Sequence, residues 1–284
     1  MNQQAGEPGK VELERIVSLA LAEDLGAAGD ITSKAIFSES ASGAARVVTR
    51  EPCTVSGMAA AAEVCRQVGG LDLLPLVQDG QAVPAAAEVI HLDGSLRALL
   101  SCERTLLNFL SRLSGIATLT RSFVDAVAGT GATVAATRKT GPGMRRLEKE
   151  AVVHGGGVAH RAGLYDAALI KDNHIAAAGG LAPAVDAVIR ELGGEVEIEV
   201  EVDTIGQLAE AAEAAVDWIM LDNMRVEEVR ECVALVAGRK KLEASGGIGL
   251  DNIREYALAG VERISVGELT RSAPGIDFSM EVDQ

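Results

Sequence analysis

The chain has 284 residues, a formal net charge of −15, four cysteines, and only one tryptophan, two tyrosines and four phenylalanines. That length exceeds one small core and suits two domains, or one α/β barrel with an appendage. An acidic, aromatic-poor chain lacks both the phosphate-neutralising charge and the stacking surface of a nucleic-acid binder, and its apolar runs fall well short of the roughly 20 residues that cross a bilayer.

The opening "MNQQAGEPGK" has neither a basic n-region nor an apolar h-region, so it is read as a short disordered lead and the protein as soluble and cytoplasmic. "VELERIVSLALAEDLG" predicts an amphipathic helix ending at Gly26. "AARVVTREPCTVSG" predicts a strand interrupted by Pro52 and closed by Gly57; "AAAEVCRQV" a helix; "EVIHLDG" a strand running into a turn. "LRALLSCERTLLNFLSRLSGIATLTRSFVDAVA" predicts two helices broken around Ser114-Gly115. Cys53, Cys65, Cys102 and Cys232 are too dispersed for a C-x-x-C or zinc-ribbon site and read as reduced core residues.

From about residue 130 short apolar strands alternate with helical stretches: "ATVAATRK", "DAALIKDNH", "EVEIEVEV", "DWIMLDN", "KLEASGG" and "RISVGE". Alternation at this spacing implies parallel strands joined by right-handed crossovers. Each predicted strand ends on polar residues: Arg138 and Lys139, Lys171, Glu201, Asp222, Ser245, then Ser265 with Gly267. The carboxyl rim of a barrel is where active sites form. Six or seven clear strands are fewer than the usual eight of a closed barrel.

The residues at that rim favour an anion. Between Arg138 and Lys171 stand Arg138, Lys139, Arg145, Arg146, Lys149, Arg161 and Lys171 against Glu148, Glu150 and Asp166. Arg138-Lys139 ends a strand, and Thr140-Gly141-Pro142 is expected to cap the next helix, so carboxylate or phosphate is a fitting ligand. Arg145, Arg146 and Lys149 read as a solvated helix face with Glu148 and Glu150 as neighbours. Gly155-Gly156-Gly157 either ends that helix or lets backbone approach a ligand beside His160-Arg161. Lys171, at the end of an apolar strand, is either paired, in contact with an anion, or a Schiff-base nucleophile; Asp172 and His174 are second partners or turn residues. Glu197, Glu199 and Glu201 alternate onto one strand face, with Glu201 nearest the site and the other two meeting lysine or arginine deeper. Glu201 with Asp222 could hold ribose hydroxyls or Mg²⁺. Ser245-Gly246-Gly247 and Ser265-Val266-Gly267 offer small residues and backbone N–H groups to a phosphate.

Taken in order, "EDLGAAGDITS", "ERTLLNFLSRLSGIAT", "TRKTGPG", "GGGVAHR", "LYDAALIKDNH", "EVEVDT", "LDN", "EASGGI" and "ISVGELTRSAP" resemble the quinolinate phosphoribosyltransferase family over nearly the whole chain. The resemblance implies an N-terminal α+β sandwich-like domain, placed at 1–112, and an incomplete, open six- to seven-stranded α/β barrel at 113–284, whose C-terminal tail returns to the first domain. It implies transfer of the phosphoribosyl group of phosphoribosyl pyrophosphate to quinolinate, with Mg²⁺, release of pyrophosphate and CO₂, and nicotinate mononucleotide as product in NAD biosynthesis.

By matching motif positions, Arg138, His160, Arg161 and Lys171, with Lys139 alongside, would contact the quinolinate carboxylates or adjacent phosphates. Glu201 and Asp222 would hold ribosyl hydroxyls and Mg²⁺, directly or through water, and Ser245, Gly246, Gly247, Ser265 and Gly267 the 5′-phosphate. Lys139, Lys171, Glu201 and Asp222 are the residues expected to serve catalysis. Arg104 would reach the neighbouring subunit's site, implying a homodimer or a higher assembly. Gly141 and Ala159 depart from the family pattern in loops beside these contacts. The competing readings are a molybdenum-transport-associated homologue, against which Lys171 argues, a Schiff-base aldolase, and a non-catalytic anion-binding protein of the same fold.

Overall fold

The computed structural model describes residues 8–283. The lead read as disordered falls outside this range up to residue 7, and its last three residues already open the first helix. The chain gathers into two compact units. The first takes the residues up to 119, 141–156 and those from 272 on; the second takes 120–140 and 157–271. The division is therefore not a single cut in the chain.

In the first unit α1 (Pro8–Leu25) ends where Gly26 takes a left-handed φ of 52°, which glycine adopts without a Cβ penalty. α2 (Ile31–Ile36) starts at Asp30, whose carboxylate accepts the N–H groups of Thr32 and Ser33, each at 3.0 Å. There follow β1 (Ser42–Thr49), β2 (Cys53–Thr54), α3 (Met58–Val68), β3 (Leu71–Pro75), β4 (Ala82–Val83), β5 (Glu88–Ser95) and α4 (Leu96–Ala126). An antiparallel sheet forms in the order β12-β1-β5-β3, with β12 (Phe278–Val282) from the C-terminal end pairing along β1; β2 pairs with β4. β3, β4 and β12 have no counterpart among the predicted strands. Both β3 and β12 are edge strands, and β3 leaves Leu74 57% exposed, so neither shows the in-out alternation that reveals a half-buried strand.

The break expected at Ser114-Gly115 is absent: α4 is one continuous helix. Leu99, Leu106, Leu110, Leu113 and Ala117 recur at helical spacing and are fully or almost fully buried, each leucine contributing about 2 kcal/mol. Ser114 and Gly115 serve packing instead. The Ser114 hydroxyl accepts the Ser56 N–H and donates to the Ser56 carbonyl, and a Cβ on Gly115 would lie 1.9 Å from the Pro274 carbonyl oxygen. The glycine is there to admit that backbone.

α5 (Arg145–His154) departs from expectation at its start and on its surface. Met144 occupies the N-cap and makes no side-chain cap bond, so Thr140-Gly141-Pro142 do not cap it. Glu148 and Lys149 are buried rather than solvated. Glu148 accepts Nε and Nη2 of Arg112 (3.0 and 2.8 Å) and the Gly141 N–H (3.1 Å); Arg146 does keep its exposed pair with Glu150.

The second unit carries all six of the predicted parallel strands: β6 (Thr133–Ala135), β7 (Ala168–Ile170), β8 (Ile198–Val202), β9 (Trp218–Asp222), β10 (Lys241–Ser245) and β11 (Arg263–Ser265). They pair in the order β6-β11-β10-β9-β8-β7. Among the described residues no pairing closes β7 onto β6, so the barrel is open. The crossovers carry α6 (Asp172–Ala178), α7 (Leu181–Leu192), α8 (Ile205–Glu213), α9 (Val226–Val236) and α10 (Ile253–Ala259), and α11 (Glu268–Arg271) follows β11. Val200, Val202, Ile219, Leu221, Leu242, Ala244 and Ile264 are buried and, by the strand pairing, share one face of the sheet; Glu199, Glu243 and Arg263 alternate onto the other face. No helix of the described residues is long and apolar enough to cross a membrane.

Candidate active site

The register of the parallel sheet assembles one rim. Ser245 pairs with Asp222 on one side and with Ser265 on the other, so three successive strand ends are level. Lys171 follows β7 as the N-cap of α6, and its N–H donates to His174 Nδ1 at 3.0 Å, so His174 caps the first turn of α6. Gly155 caps α5 and Gly156 turns with a φ of 92°. Val158 then bridges in parallel to Ala135, and the chain reaches His160 and Arg161 beside the end of β6.

A cavity of about 400 Å³ opens at this rim within the second unit. It is lined by Arg138, Lys139, His160, Arg161, Lys171, Glu201, Asp222, Ser245, Gly246, Gly247 and Ser265, together with Thr137 and Asn223. Gly267 and Arg104 do not line it. Gly267 stands behind Lys139, where a Cβ would come within 3.1 Å of the lysine Cδ. Arg104 is exposed on α4 in the first unit, beside Glu23, Asp24 and Asn108.

Charge is arranged in opposed groups. Lys171 Nζ lies 2.6 Å from Glu201 Oε2, so Lys171 is an ion-paired lysine. Burial, and then the neighbouring Glu201 charge, raise the pKa of Asp222 above its ordinary value, while the Asn223 amide donates to its Oδ2 at 2.6 Å. Burial and then the charge of Arg138 lower the pKa of Arg161: two guanidinium groups crowd one corner. The Arg138 Nε is buried with no acceptor, and no ion pair forms between Arg138 and any described residue. A buried donor of this kind costs about 1–3 kcal/mol until something accepts from it.

The floor of the cavity is a buried charge network. His160 Nε2 lies 3.2 Å from Glu199 Oε2 and 3.2 Å from Glu243 Oε2. Arg263 donates through Nε to Glu243 and through Nη2 to Glu199 Oε1 at 3.1 Å. The Ser265 hydroxyl, expected to face a phosphate, donates instead to Glu243 Oε1. Glu197 accepts the Trp218 indole N–H at 2.9 Å, and the Arg263 guanidinium stacks 3.8 Å over that indole. His160, Glu199 and Glu243 could group around a metal ion, but Arg263 already meets both carboxylates as their cation.

The Arg161 backbone N–H donates to His160 Nδ1 at 2.8 Å, which leaves the ring proton on Nε2. Burial opposes a second proton, yet the bonds to Glu199 and Glu243 raise the ring's pKa to about 9. Taking that proton costs the Arg161 bond, because an Nδ1–H cannot accept. Burial lifts Glu199 above the ordinary carboxylate value; at Glu243 burial is outweighed by His160, Arg263 and Ser265, and its pKa is held down.

Several of these residues escape sequence reasoning. Asn223 has a left-handed φ of 55°, its N–H donates to the Ser245 carbonyl at 2.8 Å, and a Cβ at Gly246 would fall 2.2 Å from its Oδ1. Its signal was the asparagine after "LD". Glu243 and Arg263 were visible as charges inside apolar strands, "KLEAS" and "ERISV". Thr270, whose hydroxyl donates to the Lys139 carbonyl at 2.9 Å, lies inside the motif "ISVGELTRSAP", which by itself assigns it no role.

An open parallel α/β barrel with an arginine corner, a lysine–glutamate pair and a glycine turn at its carboxyl rim defines a protein built to hold a multiply charged anion. Residues 30–114 match the quinolinate phosphoribosyl transferase N-terminal domain and residues 116–281 its C-terminal domain. The chain is 40% identical over 279 residues to the probable nicotinate-nucleotide pyrophosphorylase [carboxylating] of Bacillus subtilis (strain 168), covering 96% of this chain and 94% of that protein. It is 41% identical over 269 residues to the nicotinate-nucleotide pyrophosphorylase [carboxylating] of Mycobacterium leprae (strain TN), covering 93% and 94%. The solved nicotinate-nucleotide pyrophosphorylase of Francisella tularensis superposes with a TM-score of 0.92 at 39% identity, over the whole of both chains. The chain belongs to the quinolinate phosphoribosyltransferase family.

Proposed function

We propose that the protein transfers the phosphoribosyl group of phosphoribosyl pyrophosphate to quinolinate with decarboxylation, forming nicotinate mononucleotide, pyrophosphate and CO₂ in de novo NAD biosynthesis. The observation that carries this reading is the pairing, in one cavity, of an arginine corner with a buried unmatched donor and a facing carboxylate pair. A pyridine dicarboxylate needs the first; a sugar carbon that becomes cationic needs the second.

The quinolinate nitrogen carries its own lone pair and needs no general base. Arg138 and Arg161 orient the ring by its carboxylates. The nitrogen forms its bond to C1 of the ribose while the bond from C1 to the pyrophosphate oxygen breaks, and that electron pair leaves on the pyrophosphate. Glu201 and Asp222 face the positive charge developing at C1, a contact worth roughly 3 kcal/mol in a preorganised site. The quaternised ring then draws in the electron pair of its bond to the 2-carboxylate as CO₂ departs, and the ring carbon takes a proton.

Lys171 holds Glu201 in place through their 2.6 Å ion pair, and Lys139 offers its charge to a phosphate. The turn at Gly246 and Gly247, with φ of 93° and 63°, presents backbone N–H groups suited to the 5′-phosphate. Glu201 and Asp222 form an all-oxygen donor pair whose mutual repulsion favours a divalent cation. Mg²⁺ held there would neutralise the pyrophosphate oxygens. The exposed Arg104 is assigned to the site of a second subunit, so a homodimer or higher assembly working in the cytoplasm belongs to the same proposal.

The test is release of pyrophosphate and CO₂ by the purified protein given quinolinate, phosphoribosyl pyrophosphate and Mg²⁺, with nicotinate as control. Release with quinolinate and not with nicotinate is expected. Binding of quinolinate without release would leave an anion-binding protein and overturn the transferase.

A further inference from the structure

The mechanism above makes no use of the charge network in the floor. Glu199 and Glu243 are 3% and 0% exposed and Arg263 8%, so none of the three reaches a substrate directly. Two carboxylates and a guanidinium are costly to bury, and replacing such a set with apolar residues often leaves a fold as stable or more so. A role in stability alone is therefore a poor reason for it. The network reaches the cavity through His160 and through Ser265, whose hydroxyl is turned down onto Glu243.

His160 is held from every side. β8 presents Glu199, β10 presents Glu243, and β11 presents Arg263 behind both carboxylates and Ser265 on Glu243. On its own loop stands Arg161, which Arg138 faces from beyond β6. The His160 backbone sits at a φ of 50°, a left-handed conformation that costs a β-carbon residue strain and persists only when its surroundings impose it. Nε2 keeps its proton toward the carboxylates in either charge state of the ring. Nδ1 is then turned toward the Arg161 peptide.

Resting on the proposed transferase reading, we infer that Glu243, backed by Arg263, is a positioning residue for quinolinate: it anchors the His160 ring from below and so sets the His160-Arg161 backbone from which the Arg161 side chain meets a carboxylate. It touches no substrate. The effect of losing it falls on the dicarboxylate and not on the phosphoribosyl donor, whose proposed contacts at Gly246, Gly247, Glu201 and Asp222 lie outside the network.

The experiment is steady-state kinetics of E243Q in the full chain, with KM measured separately for quinolinate and for phosphoribosyl pyrophosphate. KM for quinolinate should rise about tenfold, within the coupling range of residues sharing one hydrogen-bonded network, while KM for the donor and kcat stay within about twofold. Trp218 is the chain's one tryptophan and stacks on Arg263, so an unchanged emission maximum checks that the network is still assembled.

Equal changes in both KM values, or no change in either, would overturn the inference while an active wild type left the transferase reading standing. A wild type that releases no pyrophosphate would sink that reading itself. If E243Q does not fold, the double variant E243Q/R263Q removes one carboxylate and one guanidinium together and carries the same measurement. Failure of both to fold would assign the network to folding and overturn the positioning role.

Discussion

Replacing Arg138 with methionine separates binding from stability, because the structure assigns the two effects opposite signs. Arg138 has a buried Nε with no acceptor and stands close enough to Arg161 to lower its pKa. A guanidinium and a carboxylate about 4 Å apart gain about 4 kcal/mol at the effective dielectric of a partly exposed site. Part of that is already spent in desolvation and in the repulsion between the two arginines. A net loss of about 2–3 kcal/mol on Arg138→Met corresponds to roughly 30- to 150-fold weaker quinolinate binding, read by calorimetric titration of the free protein. The free protein, by contrast, loses no ion pair and sheds a repulsion, so its melting temperature should hold or rise. Quinolinate affinity close to wild type would remove Arg138 from the site; a clearly lower melting temperature would mean the side chain has a structural partner.

Three further outcomes follow from the geometry. Lys171→Met, which strips Glu201 of its 2.6 Å partner, should lower kcat by about 10²–10³, and borohydride added during wild-type turnover should leave the protein mass unchanged; an adduct trapped at Lys171 would instead establish a Schiff base. For Asp222 the folded pKa is raised, so its ionised form costs stability at every pH above that value and the cost is relieved as pH falls through it; Asp222→Asn should therefore melt higher at neutral pH, lose that advantage on acidification, and turn over far more slowly. Gly115→Ala gains about 1 kcal/mol of helix propensity but puts a Cβ 1.9 Å from the Pro274 carbonyl oxygen, and overpacking of about 1–3 kcal/mol should win; a higher melting temperature would refute that packing argument.

The parallel strands were legible as short runs rich in apolar residues and bounded by turn residues, and the polar residue at each carboxyl end named the rim directly. Arg138, Lys171, Glu201 and Asp222 could be picked out for the same reason: a charge at the end of a strand has few places to go; Arg161 was marked instead by the glycine triplet that precedes His160-Arg161. What the pattern could not convey was contact between distant segments. Ser114-Gly115 looked like a helix break because local propensity counts glycine as a breaker, and only the approach of Pro274 explains it. Lys149 looked solvated because nothing local reports the packing that buries it.

Local chemistry alone settled the six-strand alternation of the second unit and the charges at its strand ends, since hydrophobic period and strand-end residues are properties of a few neighbouring positions. Tertiary structure decided how those charges are divided. Lys171 is committed to Glu201, Ser265 is turned down to Glu243, His160 is seated over two buried carboxylates, and Arg138 stands beside Arg161 without an acid of its own. The partner of a charge depends on the register between strands separated by tens of residues, and no window of the sequence contains it.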